Sequence, residues 1–373
     1  MSSHQIKPLK ILHILNELNY SGAEVMLKQS APFFIERRAQ LYCLSTGKSA
    51  GVYAPVLGDA GYRVFCIQFA KSLHYAYAVY SFLRQHRLSV VHIHAEHGFL
   101  LHAFLARLAG CKKIIRTVHS SFPFSGFLRI RKLIERKVAK ELFGVFFVSI
   151  SPSVHENEYL KFANQSLLIM NWIDISIFHP ACDIGEKQRL RKKYAIGSNN
   201  LVLTSVGSCI DIKNHMDVII AMNLITIEYP YVFYIHVGTG PLEQDERSLV
   251  EELGLNERVY WTGYCDNPRD LLVLSDIFVM PSTYEGLAVA CMEAMSCGLP
   301  ALVYDVPGLR DLVQSGENGL CVQPNPQALA KGLVKICENK QKMRIMGKAG
   351  HDRILKFCNK ENSLTMLYKI YST

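Results

Sequence analysis

Two glutamates in the second half of the 373-residue chain have a spacing suited to a hydroxyl-rich ligand. Glu285 lies in a short loop after an apolar, strand-like run, and Glu293 lies about two turns along the helix predicted next. Gly286 leaves the backbone bare, so that amides near the helix start can approach a ligand. Two carboxylates on one rim can accept hydrogen bonds from several sugar hydroxyls. From residue types alone, both could equally be solvated, since glutamate is common at helix starts.

Other groups suited to an anionic ligand follow other predicted strands of this half. Lys213 comes after the strand-like run 201–206, and a charge-assisted contact from it would be worth roughly 1.5–3 kcal/mol. Gly207 and Gly238 each directly follow a predicted strand, where the lack of a side chain permits a close backbone approach. Taken alone, a lysine in this position is more often a solvated surface charge.

Histidines cluster in the first half of the chain. His92 and His94 alternate on a predicted strand and would share a face, which together with His97 is compatible with zinc. No acidic or cysteine ligand completes a recognisable site, so the sequence predicts no metal. His119 ends another predicted strand, before a Ser-Ser-Phe-Pro loop, where a ligand-binding residue would lie; a purely structural histidine is the alternative.

The elements that must position these residues are short apolar strands alternating with amphipathic stretches. This alternation predicts βαβ units and mostly parallel sheets, with ligands bound beyond the carboxyl ends of the strands. The pattern restarts near residue 200, after a linker at 171–200 that also holds the first helix of the second domain. The predicted strands are 11–15, 40–45, 63–69, 90–94, 114–119, 145–150, 167–170, 201–206, 232–237, 259–262, 277–281, 301–304 and 320–322.

The string PSTYEGLAVACMEAMSCGLPALVYDVPGLRDLV at 281–313 resembles the E-x7-E region of retaining glycosyltransferases of family 4, with Glu285 and Glu293 as the two glutamates. The resemblance implies the GT-B fold, in which two Rossmann-like, doubly wound parallel-sheet domains face a central cleft. We therefore expect an acceptor-binding domain at 1–175 and a nucleotide-sugar-binding domain at 176–355. A helix at 356–373 is expected to pack back on the first domain.

Three further segments carry the same resemblance. The run SVGSCIDIKNH at 205–215 is similar to the strand and loop that grip the donor diphosphate, although Ser208 stands where many members have arginine. The segment 236–264 resembles the next family block, in which Tyr264 would lie near the nucleotide base. The run NELNYSGAEVMLKQSA at 16–31 resembles the first loop of the family, with Ser21 and Gly22 where two glycines are frequent.

The resemblance implies transfer of a hexosyl group from a nucleotide diphosphate sugar, UDP in preference to GDP or ADP, with retention at the anomeric carbon. His119 would contact the donor sugar, Glu285 would hold the hexose, Glu293 the ribose and Lys213 the leaving diphosphate. The chain has no D-x-D tripeptide, so neither a metal nor another cofactor is expected. The predicted catalytic residues are His119, Glu285 and Lys213, and the predicted donor-binding residues are Ser21, Gly22, Gly207, Ser208, Lys213, Gly238, Tyr264, Gly286, Leu287, Ala288 and Glu293.

The charge of the chain is unevenly distributed. Residues 1–180 hold 21 Lys and Arg against 10 Asp and Glu, whereas residues 181–373 hold 20 against 22. The basic stretch 125–144 has apolar residues at helical spacing, which suits an anionic membrane surface or an ordinary surface helix. No nucleic-acid-binding motif is present, and we expect no nucleic-acid partner. We expect a lipid-linked or polysaccharide acceptor in cell-surface glycan synthesis.

Several other classes are disfavoured. No window of 18 residues is apolar and uncharged, and no apolar signal core follows the N-terminus, so we expect a cytoplasmic or peripheral membrane protein. The eleven scattered cysteines, without a C-x-x-C pair, predict reduced thiols. A nicotinamide-dependent oxidoreductase would need a G-x-G-x-x-G turn that neither half offers. A binding protein that has kept the fold but lost activity remains an alternative.

Overall fold

A computed structural model of the chain describes residues 8–122, 124–183 and 185–373. The chain divides into two compact units. Domain one runs to Asn171 and also contains Lys360–Thr373, while domain two is Trp172–Asn359. The boundaries predicted from the sequence are 175 and 355.

Domain one contains a parallel sheet whose described strands follow the order β3-β2-β1-β4-β5-β6-β7. The strands are β1 (Lys10–Leu15), β2 (Gln40–Ser45), β3 (Tyr62–Cys66), β4 (Val90–Ile93), β5 (Lys113–Val118), β6 (Val145–Ser149) and β7 (Leu167–Leu168). The helices are α1 (Gly22–Glu36), α2 (Ala54–Asp59), α3 (Leu73–His86), α4 (Phe99–Leu108), α5 (Gly126–Phe143), α6 (Pro152–Phe162) and α14 (Lys360–Ser372).

Domain two contains a second parallel sheet, whose described strands follow the order β10-β9-β8-β11-β12-β13. The strands are β8 (Leu201–Val206), β9 (Val232–Val237), β10 (Val259–Trp261), β11 (Ile277–Met280), β12 (Ala301–Tyr304) and β13 (Gly319–Val322). The helices are α7 (Glu186–Lys193), α8 (Met216–Ile225), α9 (Glu243–Glu252), α10 (Arg269–Leu274), α11 (Val289–Ser296), α12 (Pro326–Cys337) and α13 (Lys340–Phe357), and 3₁₀ turns form at Asp211–Lys213 and Asn256–Arg258.

The prediction of two doubly wound parallel sheets is confirmed, and each predicted strand-like run contributes a strand. The central strands are buried along nearly their whole length, as expected where helices cover both faces of a sheet. Strands β3 and β7 end two or three residues earlier than predicted, because the strands beside them end there. β3 stops at Cys66, opposite Ser45 at the end of β2, and β7 pairs only with the last two residues of β6.

Helix α5 differs from the sequence expectation because two of its basic side chains are buried. Arg136 is buried and donates two hydrogen bonds, of 2.7 and 2.9 Å, to the buried carboxylate of Glu158. Lys132 is also buried and lies 3.0 Å from Glu96, which accepts a 2.6 Å bond from Arg116. Lys132 and Arg136 therefore neutralise carboxylates inside domain one and do not face solvent. Buried charges without such partners would be strongly destabilising.

The C-terminal helix α14 completes domain one. The Tyr371 hydroxyl lies 2.5 Å from Nδ1 of His92 on β4, and its ring stacks on Phe34 of α1. Ser363 donates a 3.0 Å hydrogen bond to the carbonyl of Met170. Among the described residues, no helix has both the length and the apolar composition needed to cross a membrane.

Candidate active site

The order of strands in domain two brings two of the predicted loops together. Strands β8 and β11 are neighbours, and the chain winds in opposite directions from them, first through β9 and β10 and later through β12 and β13. Loops that leave the carboxyl ends of such a pair separate and form a crevice in which ligands of open α/β sheets bind. Here these are the β8 loop (207–213) and the β11 loop (281–288).

Lys213 of the β8 loop pairs directly with Glu285 of the β11 loop. The Lys213 Nζ lies 2.5 Å from Glu285 Oε1, and both side chains are largely shielded from solvent. The backbone N–H of Thr283 donates a 2.9 Å bond to the Ile212 carbonyl, which ties the two loops together. The structure thus places a cation at the switch point of the sheet and holds it there through a carboxylate from the neighbouring loop.

Two glycines shape the floor of the same crevice in different ways. Gly238 has a φ of +147°, and a Cβ added there would lie 1.9 Å from the Gly207 carbonyl oxygen. Gly238 is therefore required by backbone packing alone. At Gly207 the nearest atom to an added Cβ is Nε2 of His215 at 3.5 Å, an ordinary contact. Packing therefore does not require glycine at position 207. The absence of a side chain there leaves room for a ligand to approach the backbone.

Glu293 lies on α11, the helix that follows the β11 loop, and is 9% exposed. Among the residues that the structure describes, no side chain pairs with its carboxylate. Burial raises the pKa of Glu293 to about 8. A buried carboxyl without a protein partner is suited to receive hydroxyl donors from a ligand.

The start of α11 offers backbone amides beside these carboxylates. Gly286, Leu287 and Ala288 are buried, and the N-cap residue Ala288 has no side chain that could cap the first turn. Two other predicted donor-binding residues are exposed: Ser208 in the β8 loop and Tyr264 after β10, whose hydroxyl donates a 2.5 Å bond to Asp266. Ser208 follows the carboxyl end of β8, and Tyr264 follows the carboxyl end of β10.

The predicted site residues of domain one lie at the start of α1 and directly after β5. Gly22 begins α1 and Ser21 is its N-cap residue, but the Ser21 hydroxyl donates to the carboxylate of Glu24 instead of capping the backbone. Glu24 is buried, and burial raises its pKa. Sequence reasoning missed Glu24, although its place three residues after Ser21 is the spacing of a capping pair.

His119 belongs to a chain of imidazoles. Its Nε2 lies 2.8 Å from Nδ1 of His94, whose Nε2 lies 2.9 Å from Nδ1 of His13. Burial, with a smaller effect of Arg116, lowers the pKa of His119 to about 3, so the ring is neutral at physiological pH. It can exchange hydrogen bonds with a ligand but brings no positive charge.

The histidine spacing read from the sequence is only partly realised. His97 is exposed, while His13 joins His92 and His94 in a group whose nitrogens lie within 4.8 Å of one another. His92 is occupied by short hydrogen bonds to Thr117 and Tyr371. The expectation that the transfer site uses no metal stays a prediction.

One supporting residue of the site was missed altogether. Gly308 has a φ of +84°, and a Cβ there would lie 2.7 Å from the Glu285 carbonyl oxygen and 2.8 Å from that of Gly286. It thus packs against the turn that presents Glu285. Its Pro-Gly dipeptide signals a tight turn in the sequence but gives no indication of which loop that turn supports.

Two protein-family models match the chain, one in each domain. Residues 186–353 match "Glycosyl transferases group 1", and residues 20–161 match "Glycosyltransferase Family 4". The chain belongs to the family 4 glycosyltransferases. The two matched regions include every predicted site residue of the respective domain.

Curated relatives of this glycosyltransferase are similar over most of their length. An Escherichia coli protein named UDP-Gal:alpha-D-GlcNAc-diphosphoundecaprenol alpha-1,3-galactosyltransferase is 28% identical over 306 residues, covering 78% of this chain and 76% of the relative. The N-acetyl-alpha-D-glucosaminyl L-malate synthase of Bacillus anthracis is 26% identical, covering 77% of this chain and 75% of the relative.

Solved structures show the same fold. A glycosyltransferase from Rickettsia africae has a TM-score of 0.83 at 16% identity and covers 98% of both chains. HepE from Anabaena, solved with UDP and glucose, has a TM-score of 0.81 at 20% identity and covers 98% of this chain and all of that chain. The GT-B expectation is thereby confirmed.

The two glycines of the crevice predict opposite effects of alanine on stability. Gly238→Ala should lower the free energy of unfolding by roughly 2–4 kcal/mol, because the new Cβ meets the Gly207 carbonyl and φ is positive. Gly207→Ala should stay within about 1 kcal/mol of wild type. Urea unfolding monitored by circular dichroism measures both, and equal losses would contradict the packing described here.

The buried carboxyl of Glu293 predicts a pH-dependent stability. The unfolded-state pKa is near 4.5 and the folded-state pKa about 8, so folding loses free energy as pH rises between these values. Glu293→Gln removes this loss, and its stability relative to wild type should grow between pH 5 and 8 by on the order of 4 kcal/mol. Thermal unfolding across this range tests it, with the exposed Glu317→Gln as the charge control. A constant difference would contradict the assignment.

Proposed function

We propose that this glycosyltransferase moves a hexosyl group from a UDP-sugar to a hydroxyl of a lipid-linked acceptor, with retention at the anomeric carbon. The observation that carries the proposal is the Lys213–Glu285 pair at the switch point of domain two. A cation held by the loop that leads into α11 is suited to stabilise a departing diphosphate.

In domain two, the basic residue is proposed to bind the diphosphate and the acidic residues the sugar hydroxyls. As the bond from the sugar to the diphosphate breaks, negative charge accumulates on the phosphate, and the Lys213 ammonium stabilises it. Glu285 keeps Lys213 in place and lies beside Gly286, where it can accept hydroxyl hydrogen bonds from the hexose. Glu293 is proposed to receive the ribose hydroxyls, which would satisfy a buried carboxyl that pairs with no side chain among the described residues. The sugar contact of His119 remains a proposal carried by the resemblance.

Support for uridine comes from the relatives. The E. coli relative carries UDP-Gal in its name, and HepE was solved with UDP. No described residue of this chain distinguishes uracil from another base, so the choice of UDP rests on these similarities. Retention rests on the family pattern of Glu285 and Glu293.

A lipid-linked acceptor agrees with the exposed surface of α5. With Lys132 and Arg136 turned inward, this helix still exposes both large apolar groups and basic groups. The exposed apolar residues are Phe127, Leu128, Ile130, Ile134 and Leu142, and the exposed basic residues are Arg129, Arg131, Lys137 and Lys140. Such a mixture suits the headgroup region of an anionic bilayer. The diphosphoundecaprenol in the E. coli relative's name is an acceptor of this kind. We therefore propose a peripheral location on the cytoplasmic face of the membrane.

Transfer should occur from a UDP-hexose to a GlcNAc-diphosphate lipid carried in anionic vesicles. The product is followed by mass spectrometry, and its anomeric configuration by the proton coupling at the new linkage. Lys213→Ala and Glu285→Gln should each lower turnover by on the order of 10²–10³-fold. Lys331→Ala, which removes an exposed lysine of α12, should leave turnover unchanged.

Other outcomes would reject defined parts of the proposal. Transfer from GDP- or ADP-sugars in place of UDP-sugars would change the donor. An inverted linkage would reject retention. Binding of UDP without any product from a panel of lipid-linked and soluble acceptors would favour the alternative of an inactive binding protein.

The membrane part is tested separately by co-sedimentation with vesicles that contain anionic phospholipid. Each basic group near such a surface contributes about 1 kcal/mol, so Lys137→Gln with Lys140→Gln should weaken partitioning roughly 30-fold at low salt. Lys331→Gln with Lys348→Gln removes two exposed charges of domain two and serves as the matched control. Equal losses in both double variants, or no sedimentation of wild type, would contradict a membrane role of α5.

A further inference from the structure

Four potential metal ligands meet in the interior of domain two, behind the β8 loop. Cys209 lies within that loop, His215 immediately precedes α8, His236 is on β9 and Glu246 is on α9. All four are at most 3% exposed, and one ligand atom from each lies within 4.8 Å of the others. Thiolate, imidazole and carboxylate are the donor groups that zinc takes in proteins.

Two distances within this cluster are close to those between ligands of a tetrahedral zinc ion. Ligand atoms bound at the distances typical of zinc lie roughly 3.3–3.8 Å apart around a tetrahedron. Here Nδ1 of His215 lies 3.3 Å from Oε1 of Glu246, and Sγ of Cys209 lies 3.2 Å from Nε2 of His236. Shifts of a few tenths of an ångström would bring the two pairs to these spacings.

A second, independent observation points to a ligand. The other carboxylate oxygen of Glu246, Oε2, is buried and has no hydrogen-bond partner among the described residues. Leaving a buried carboxylate oxygen unpaired is destabilising, because burial also removes its hydrogen bonds to water. A cation in the centre of the four groups would supply the missing interaction.

A hydrogen bond from a neighbouring tyrosine fixes the orientation of the His236 imidazole. The hydroxyl of Tyr234, on the same strand, lies 3.2 Å from Nδ1 of His236. This contact leaves Nε2 of His236 directed at Cys209. A hydrogen bond to the ring nitrogen that does not bind metal is the usual way in which proteins fix a histidine ligand.

We propose that Cys209, His215, His236 and Glu246 bind a divalent ion of the zinc type. The thiol of Cys209 would lose its proton to solvent on binding, and the resulting thiolate and the Glu246 carboxylate would balance the two positive charges of the ion. Four protein ligands leave no open position, which is the pattern of a structural site, not of one that activates water.

The ion would hold the loop that carries Lys213. Cys209 and His215 lie on either side of Lys213 in the chain, and His215 also adjoins Gly207. Coordination would therefore fasten both ends of the segment 209–215, which carries Lys213, to β9 and α9. This role leaves the transfer chemistry itself independent of metal, as predicted from the sequence, and the site does not depend on the proposed donor or acceptor.

The test uses the full chain, purified without chelator. Elemental analysis should find about one zinc per chain, and a strong chelator should lower the melting temperature. Loading the stripped protein with Co²⁺ should produce a thiolate-to-cobalt charge-transfer absorption. This absorption should disappear in Cys209→Ser and weaken in Glu246→Gln. It should persist in Cys43→Ser, a buried cysteine of domain one outside the cluster.

The proposal would be overturned if the folded wild-type protein contained no zinc, kept its melting temperature in the presence of chelator and showed no cobalt charge-transfer absorption. The four residues would then form a buried hydrogen-bond network only. The same absorption in wild type and in Cys209→Ser would also overturn it, by placing the metal elsewhere. These experiments measure metal content, melting temperature and cobalt absorption, none of which depends on sugar transfer. A negative result for the metal site is therefore distinct from a negative result in the transfer assay.

Discussion

The candidate site of domain two depends on the ion pair between Lys213 and Glu285. It joins the two loops that leave β8 and β11, the strands between which the winding of domain two reverses. A lysine on a flexible four-carbon stem would otherwise sample many positions, which costs side-chain entropy when a ligand binds. By holding the ammonium in place before the ligand arrives, Glu285 converts a mobile surface charge into a preorganised one.

The parts of this site that the sequence predicts are local in the chain. Glu285, Gly286 and Glu293 lie within one loop and helix, and the run that contains Lys213 leads out of a clear strand. The parallel sheets follow from the alternation of strands and helices. The pairing of Lys213 with Glu285 depends on the strand order, which neither motif shows by itself.

Other features required the three-dimensional arrangement. Strand lengths depend on where a neighbouring strand ends, as for β3, which local propensity does not report. The inward direction of Lys132 and Arg136 follows from Glu96 and Glu158, which lie on other segments. The cluster of Cys209, His215, His236 and Glu246 has no recognisable spacing in the chain, because strand β9 and helix α9 bring two of its members from a distance.

The most direct measurement is calorimetric binding of UDP to wild type, Lys213→Ala, Glu285→Gln and the double variant, with Lys331→Ala as control. Loss of Lys213 should weaken binding about 10- to 150-fold, the equivalent of roughly 1.5–3 kcal/mol. Glu285→Gln should weaken binding in the wild-type background but have little further effect once Lys213 is gone, because its contribution acts through the lysine. Unchanged UDP affinity in Lys213→Ala, or strictly additive losses in the double variant, would contradict the central role of this pair.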